Sequence, residues 1–144
     1  MKQSIPPIKA VMTSFPFWIA SHVTLIQAQQ VMSEKGIHHL PVKEEGELIG
    51  VITRKYLDSA LSTENMEHNK NTVVGDVCIK DLYIVDLEEP LDNVLLHMAS
   101  FHIGSVLVTK NARLAGLFTM NDACRSFGEY LRKKFRPGGS DDAA

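Results

Sequence analysis

One feature constrains this chain more than any other: it repeats itself at a fixed offset. Gly50-Val-Ile-Thr53 reads like Gly116-Leu-Phe-Thr119, 66 positions further on. The same offset relates Val11 to Val77, Leu25 to Leu91, Ala28 to Val94, Met32 to Met98, Ile37 to Ile103 and Leu48 to Leu114. One offset from the first matched residue to the last means no net insertion between the copies. A unit of this size has too small a core alone and one bare sheet face, so two copies are expected to share their burial.

Each copy reads as β-α-β-β-α. In the first, Val11-Met12 leads through Ser14-Phe-Pro-Phe17 to a short apolar segment, Trp18-Ile-Ala20. That segment aligns with Ile84-Val-Asp86 in step, or with Tyr83-Ile-Val85 one residue out of step. Thr24 caps a helix reaching Lys35, with Gln27 at the capping-box position. Leu25, Ala28, Val31 and Met32 form its apolar stripe, and Gly36 suits the left-handed residue that ends it. Strands follow over residues 37–42 and 48–52, joined by a turn at Glu44-Glu-Gly-Glu47, and Thr53 starts a second helix reaching about Leu61.

The second copy repeats the plan. Pro90 fits the first turn of a helix to Phe101. Strands over residues 103–109 and 114–118 cross at Lys110-Asn-Ala-Arg113. A last helix runs from Met120 to Phe135, with Ala123, Phe127 and Leu131 on one face and Arg132-Lys-Lys134 where cations suit the helix dipole. The repeats occupy residues 8–62 and 74–135. Residues 63–73 form a polar linker of loop or frayed helix, and residues 136–144 are expected to be a disordered tail.

The formal net charge of -2 gives no global attraction for nucleic acid or an anionic membrane. No stretch approaches the roughly 20 apolar residues of a membrane span, and no secretory signal opens the chain. Two cysteines, Cys78 and Cys124, make neither a disulfide scaffold nor a metal knuckle. A cytoplasmic protein with reduced thiols is expected, with no bound metal.

The repeated marks resemble the tandem CBS domain, named for cystathionine β-synthase. They are Val11-Met12-Thr13, Gly36-Ile-His-His-Leu-Pro-Val42, Gly50-Val-Ile-Thr53 and Gly116-Leu-Phe-Thr-Met-Asn-Asp122. The resemblance covers about residues 8–134. It implies an α+β fold of two CBS repeats packed about a pseudo-two-fold axis, with clefts that take AMP, ATP or S-adenosylmethionine. It also implies a homodimer and, for a module of this kind, a regulated partner protein.

Thr119 and Asp122 match the family's Thr-x-x-Asp motif, in which the acid holds the ribose hydroxyls and the hydroxyl residue reaches toward phosphate. A carboxylate accepts two hydroxyl hydrogen bonds, and helix-start amides favour an anion. Capping alone also explains both residues. In the first copy the motif reads Thr53-Arg-Lys-Tyr56, and a phenol cannot accept a diol in the same way. Asp58 lies about 200° around the helix from Tyr56 and is expected to point elsewhere. The reading is therefore one good ribose site and one weak or absent.

His38 and His39 stand where nucleotide-sensing members contact phosphate, and a surface role at the seam is open to them as well. Arg54 and Lys55 begin a helix, where the dipole disfavours cations; a phosphate or a solvated face explains them equally. By resemblance the adenine walls are Ile84, Val85, Val106 and Leu107, each equally readable as core. Phe17 and Trp18 are bulky enough to fill the corresponding region of the first copy. No nucleophile elbow, Walker loop or His-Glu-x-x-His occurs, so no enzyme is expected. The expected function is a free-standing sensor, or a regulatory subunit, for an adenine nucleotide or adenosyl ligand. A ligand-free interaction or dimerisation module is the alternative.

Overall fold

A computed structural model of the chain describes residues 4–136. Most of the expected tail, residues 137–144, lies outside them. The fold is α+β and divides into two compact units. One unit, built around the first repeat, holds Phe15–Leu82 with Asn111–Leu114. The other, built around the second repeat, holds the chain up to Ser14, Tyr83–Lys110 and the chain from Ala115.

In the first-repeat unit, β2 (Ile19–Ala20) runs parallel to β3 (His39–Glu44), which pairs antiparallel with β4 (Glu47–Thr53). Helices α1 (Leu25–Lys35) and α2 (Arg54–Ala60) follow β2 and β4. Thr24 and Gln27 form the expected capping box, and Gly36 ends α1 at φ 66°. The strand β3 begins at His39 rather than Ile37, because the Ile37 N–H still donates to the Met32 carbonyl at 3.1 Å and closes the helix. Leu25, Ala28 and Met32 pack against Leu40, Val42, Ile52 and Leu57 to form the core. Within the linker lies a four-residue helix, α3 (Met66–Asn69), and α4 (Val74–Val77) follows it.

The second-repeat unit has sheet order β1-β7-β6-β5. Here β1 is Thr13–Ser14, β5 Ile84–Asp86, β6 Ser105–Lys110 and β7 Arg113–Thr119. Strand β5 is thus the in-step partner of β2. Helix α5 (Leu91–Phe101) is capped by Pro90, which sits just before the helix rather than within its first turn. His102 takes the left-handed place of Gly36 at φ 56° without a glycine. The β6–β7 turn uses two left-handed residues, Asn111 and Ala112, the geometry that matches strand twist in a two-residue hairpin. Ile8, Val85, Val94, Met98, Val106, Val108 and Phe118 form the core. Helix α6 (Met120–Phe135) leaves Phe127 and Leu131 of its expected stripe exposed.

The opening segment of each repeat docks on the last strand of the other repeat. Residues 13–14 pair with Leu117 and Gly116, and Ile79 bridges to Val51 in the equivalent position. The first amide of α5 donates to Pro6 at 2.9 Å, and that of α1 to Thr72 at 3.0 Å, which satisfies helix-start donors that would otherwise be orphans. Gly116 and Gly50 permit this crossing. A Cβ on Gly116 would strike the Met12 side chain, and one on Gly50 would strike Cys78 and the Ile79 carbonyl.

Candidate functional site

The site is built where β7 gives way to α6. Thr119 has extended backbone and caps the helix: its Oγ1 accepts the Asp122 N–H at 3.4 Å. Asp122 returns the contact, its Oδ2 accepting the Thr119 N–H at 2.9 Å and the Thr119 hydroxyl at 3.2 Å. Both arms of the capping box are therefore present. The other oxygen, Oδ1, accepts Arg125 Nη1 at 3.0 Å and lies 3.5 Å from the Thr13 hydroxyl. Asp122 is only 5% exposed and is the one buried charged side chain among the described residues. A buried carboxylate needs this pairing, since an unpaired charge in low dielectric is strongly destabilising.

The first-repeat unit has half of this arrangement. Thr53 Oγ1 accepts the Tyr56 N–H at 3.1 Å, but tyrosine offers no carboxylate in return. Asp58 accepts a hydrogen bond from Gln29 of α1 at 3.1 Å and stands 3.9 Å from Arg54.

His38 and Arg54 come together at the backbone, where the His38 carbonyl accepts the Arg54 N–H at 2.9 Å. The same contact joins Gly104 and Met120 at 3.1 Å in the second-repeat unit, with no charge at either position. The His38 side chain is exposed, His39 half-buried as the first residue of β3 opposite Thr53, and Lys55 exposed. His38, His39 and Arg54 belong to the first-repeat unit, Thr119 and Asp122 to the second.

The four apolar wall residues divide by strand face. Val85 and Val106 pack into the core. Ile84 and Leu107 are register partners on the opposite face of β5 and β6, Ile84 being 46% exposed and Leu107 buried. Phe17 and Trp18 are each about half-exposed, with Lys35 Nζ 4.7 Å above the first ring and Lys43 Nζ 4.5 Å above the second. An apolar hollow of about 340 Å³, lined by Leu95, Met98, Ile103, Met120 and Ala123 among others, lies beside the start of α6. Neither Thr119 nor Asp122 lines it.

Sequence reasoning missed two residues of the site. Arg125 carried a signal, since a cation three residues after a helical acid shares its face. Thr13 carried none, because its approach to Asp122 depends on β1 pairing with a strand a hundred residues later.

Among the described residues, no cluster of three or more His, Cys, Asp or Glu could hold a metal. No described helix is long and apolar enough to cross a membrane.

A family model for the CBS domain matches residues 8–63 and again residues 74–129. L-aspartate semialdehyde sulfurtransferase of Methanocaldococcus jannaschii is 28% identical over 130 residues, which is 89% of this chain but 24% of that protein. The CBS domain pair of protein MJ0100, solved with 5′-methylthioadenosine and S-adenosyl-L-methionine, is 25% identical with a TM-score of 0.76. That match covers 88% of this chain and 99% of the other. CBSX2, solved with AMP, is 19% identical with a TM-score of 0.74 over 88% of this chain and 99% of its own.

Proposed function

The chain belongs to the CBS domain family, of which it carries a pair, and we propose that it is a regulatory module sensing an adenine nucleotide or adenosyl ligand. Asp122 is the residue that takes the ribose diol, and the α6 start at Thr119 faces the ligand's polar end. The observation that carries this reading is the buried Asp122 carboxylate held at a capped helix start. Hydroxyls that donate to such a group replace partners it already requires. Two similar CBS pairs were solved with ligands of this class, methylthioadenosine with S-adenosylmethionine in one and AMP in the other.

Ile84 is the exposed apolar residue offered to the base, with Val85 and Val106 supporting it from behind. His38, His39 and Arg54 are proposed as phosphate contacts within the first-repeat unit. Binding acts by favouring one arrangement of the protein over another, in a cytoplasmic homodimer that regulates a partner protein. Phe127, Leu131 and Phe135 of α6 are exposed. No catalytic role is assigned.

A second reading, a ligand-free interaction module, is favoured by Tyr56 in the first motif and by the complete set of partners Asp122 has without a ligand. Calorimetry with adenosine, AMP, ATP, S-adenosylmethionine and methylthioadenosine separates the two. Asp122→Asn should weaken the best ligand at least about tenfold, the scale expected for a lost charged hydrogen bond, while Tyr56→Ala leaves it unchanged. Absence of binding below about 1 mM, equivalent to roughly 4 kcal/mol, favours the second reading.

A further inference from the structure

An ionised carboxylate has about four acceptor positions, and those of Asp122 are already filled. Thr119 provides two donors to Oδ2, the backbone N–H at 2.9 Å and the hydroxyl at 3.2 Å. Arg125 at 3.0 Å and Thr13 at 3.5 Å face Oδ1. A ribose diol brings two further donors, so a resident donor must leave.

The residents are not equally easy to dislodge. The Thr119 contacts are the helix cap, and losing them uncaps α6. The Thr13 backbone is held beside Oδ1 by the pairing of β1 with β7, and its hydroxyl makes the longest of the four contacts. Arg125 is different: its side chain is 53% exposed, it sits one helical turn along from Asp122, and its guanidinium can exchange the carboxylate for water. The half of the carboxylate that a ligand can claim is therefore the half that Arg125 covers.

We propose that Arg125 is a built-in competitor for the ribose: its guanidinium closes Asp122 in the free protein, and a diol-bearing ligand binds by displacing it. This rests on the reading above that Asp122 takes the diol, and adds the residue that sets its affinity. The alternative role for such an arginine, holding the carboxylate in place for the ligand, predicts the opposite sign.

Arg125→Ala and Arg125→Gln are compared with the unmodified protein by calorimetry, using adenosine as an uncharged diol and 2′,3′-dideoxyadenosine as its control. An uncharged probe removes the trivial loss of attraction between a cation and a phosphate. Urea unfolding of each variant confirms that it is folded, and the glutamine variant keeps a long polar side chain should alanine unfold the protein. Both variants should bind adenosine about two- to fivefold more tightly, the range set by a partly exposed ion pair, with no gain for the dideoxy compound. Binding by the variants where the unmodified protein shows none supports the proposal equally. If the unmodified protein binds adenosine and the variants bind it equally or more weakly, the competitor role is overturned while the ribose site stands. An equal gain for the dideoxy compound overturns it as well. No binding by any of the three overturns the ribose site and this inference together.

Discussion

Gly116→Ala tests the docking of the N-terminal segment on the second repeat. The φ of Gly116 is not positive, so alanine meets no backbone penalty there. In an open strand, glycine to alanine stabilises by about 0.4–1 kcal/mol through the unfolded chain. Here the new Cβ would overlap Met12 Sδ and stand 2.9 Å from its Cε and 3.0 Å from its Cγ. Relaxed carbon contacts are about 3.5–4.0 Å, so the Met12 side chain must move. Overpacking of this kind costs about 1–3 kcal/mol, leaving a net loss of about 1–2 kcal/mol. All three obstructing atoms belong to the Met12 side chain beyond Cβ, and Met12→Ala removes them. In that background Gly116→Ala should turn stabilising by up to about 1 kcal/mol, a coupling of about 1–3 kcal/mol. Urea unfolding followed by circular dichroism, with the slope unchanged, measures the cycle. If Gly116→Ala costs the same in both backgrounds, the steric account fails. Gly50→Ala offers a contrast, because its Cβ also meets the Ile79 carbonyl at 2.8 Å, which accepts the Val51 N–H. Cys78→Ala should therefore rescue it only in part.

Thr24→Ala removes one arm of the α1 capping box and should cost about 1 kcal/mol in the same assay; no change would mean that the Leu25 contact to Thr72 starts the helix unaided. Burial pushes the Cys78 thiol above its ordinary range, outweighing the opposing pull of Lys80. The folded state then holds that proton more tightly than the unfolded state, so its contribution is intact at neutral pH and declines as pH rises through the thiol range. Unfolding curves between pH 7 and pH 10 should show a decline that is smaller in Cys78→Ala; an identical decline refutes the assignment. Cys124 is exposed and Cys78 buried, so a thiol reagent should modify one cysteine quickly and the second only on unfolding. Two equally fast thiols would contradict the burial of Cys78.

Local rules carried much of the fold. Thr24, Gln27 and Gly36 bond within four or five residues of themselves, so their helix boundaries were readable directly. The strand starts were read two residues early, since Ile37 and Ile103 look like strand residues while their amides still close the preceding helices. At the site, Thr119 and Asp122 were legible as a motif because the capping box is local. The burial of Val85 and Val106, against the exposure of Ile84, was not, because it depends on which sheet face receives the helices.

The repeat at 66 positions was set by the sequence, and with it the α+β fold and the inequality of Asp122 and Tyr56. Similarity at a fixed offset shows which residues are alike. It does not show which segment packs against which copy, and there the tertiary structure decided. Met12 lies on Gly116 and Cys78 on Gly50, each crossing from the start of its own repeat to the other one. The same crossing sets Thr13 beside Asp122 and completes the partners of its carboxylate, with Arg125 on the remaining side. The physical reason is range: caps and turns are settled within a few bonds, whereas the environment of a buried charge depends on residues that meet only after the chain has closed on itself.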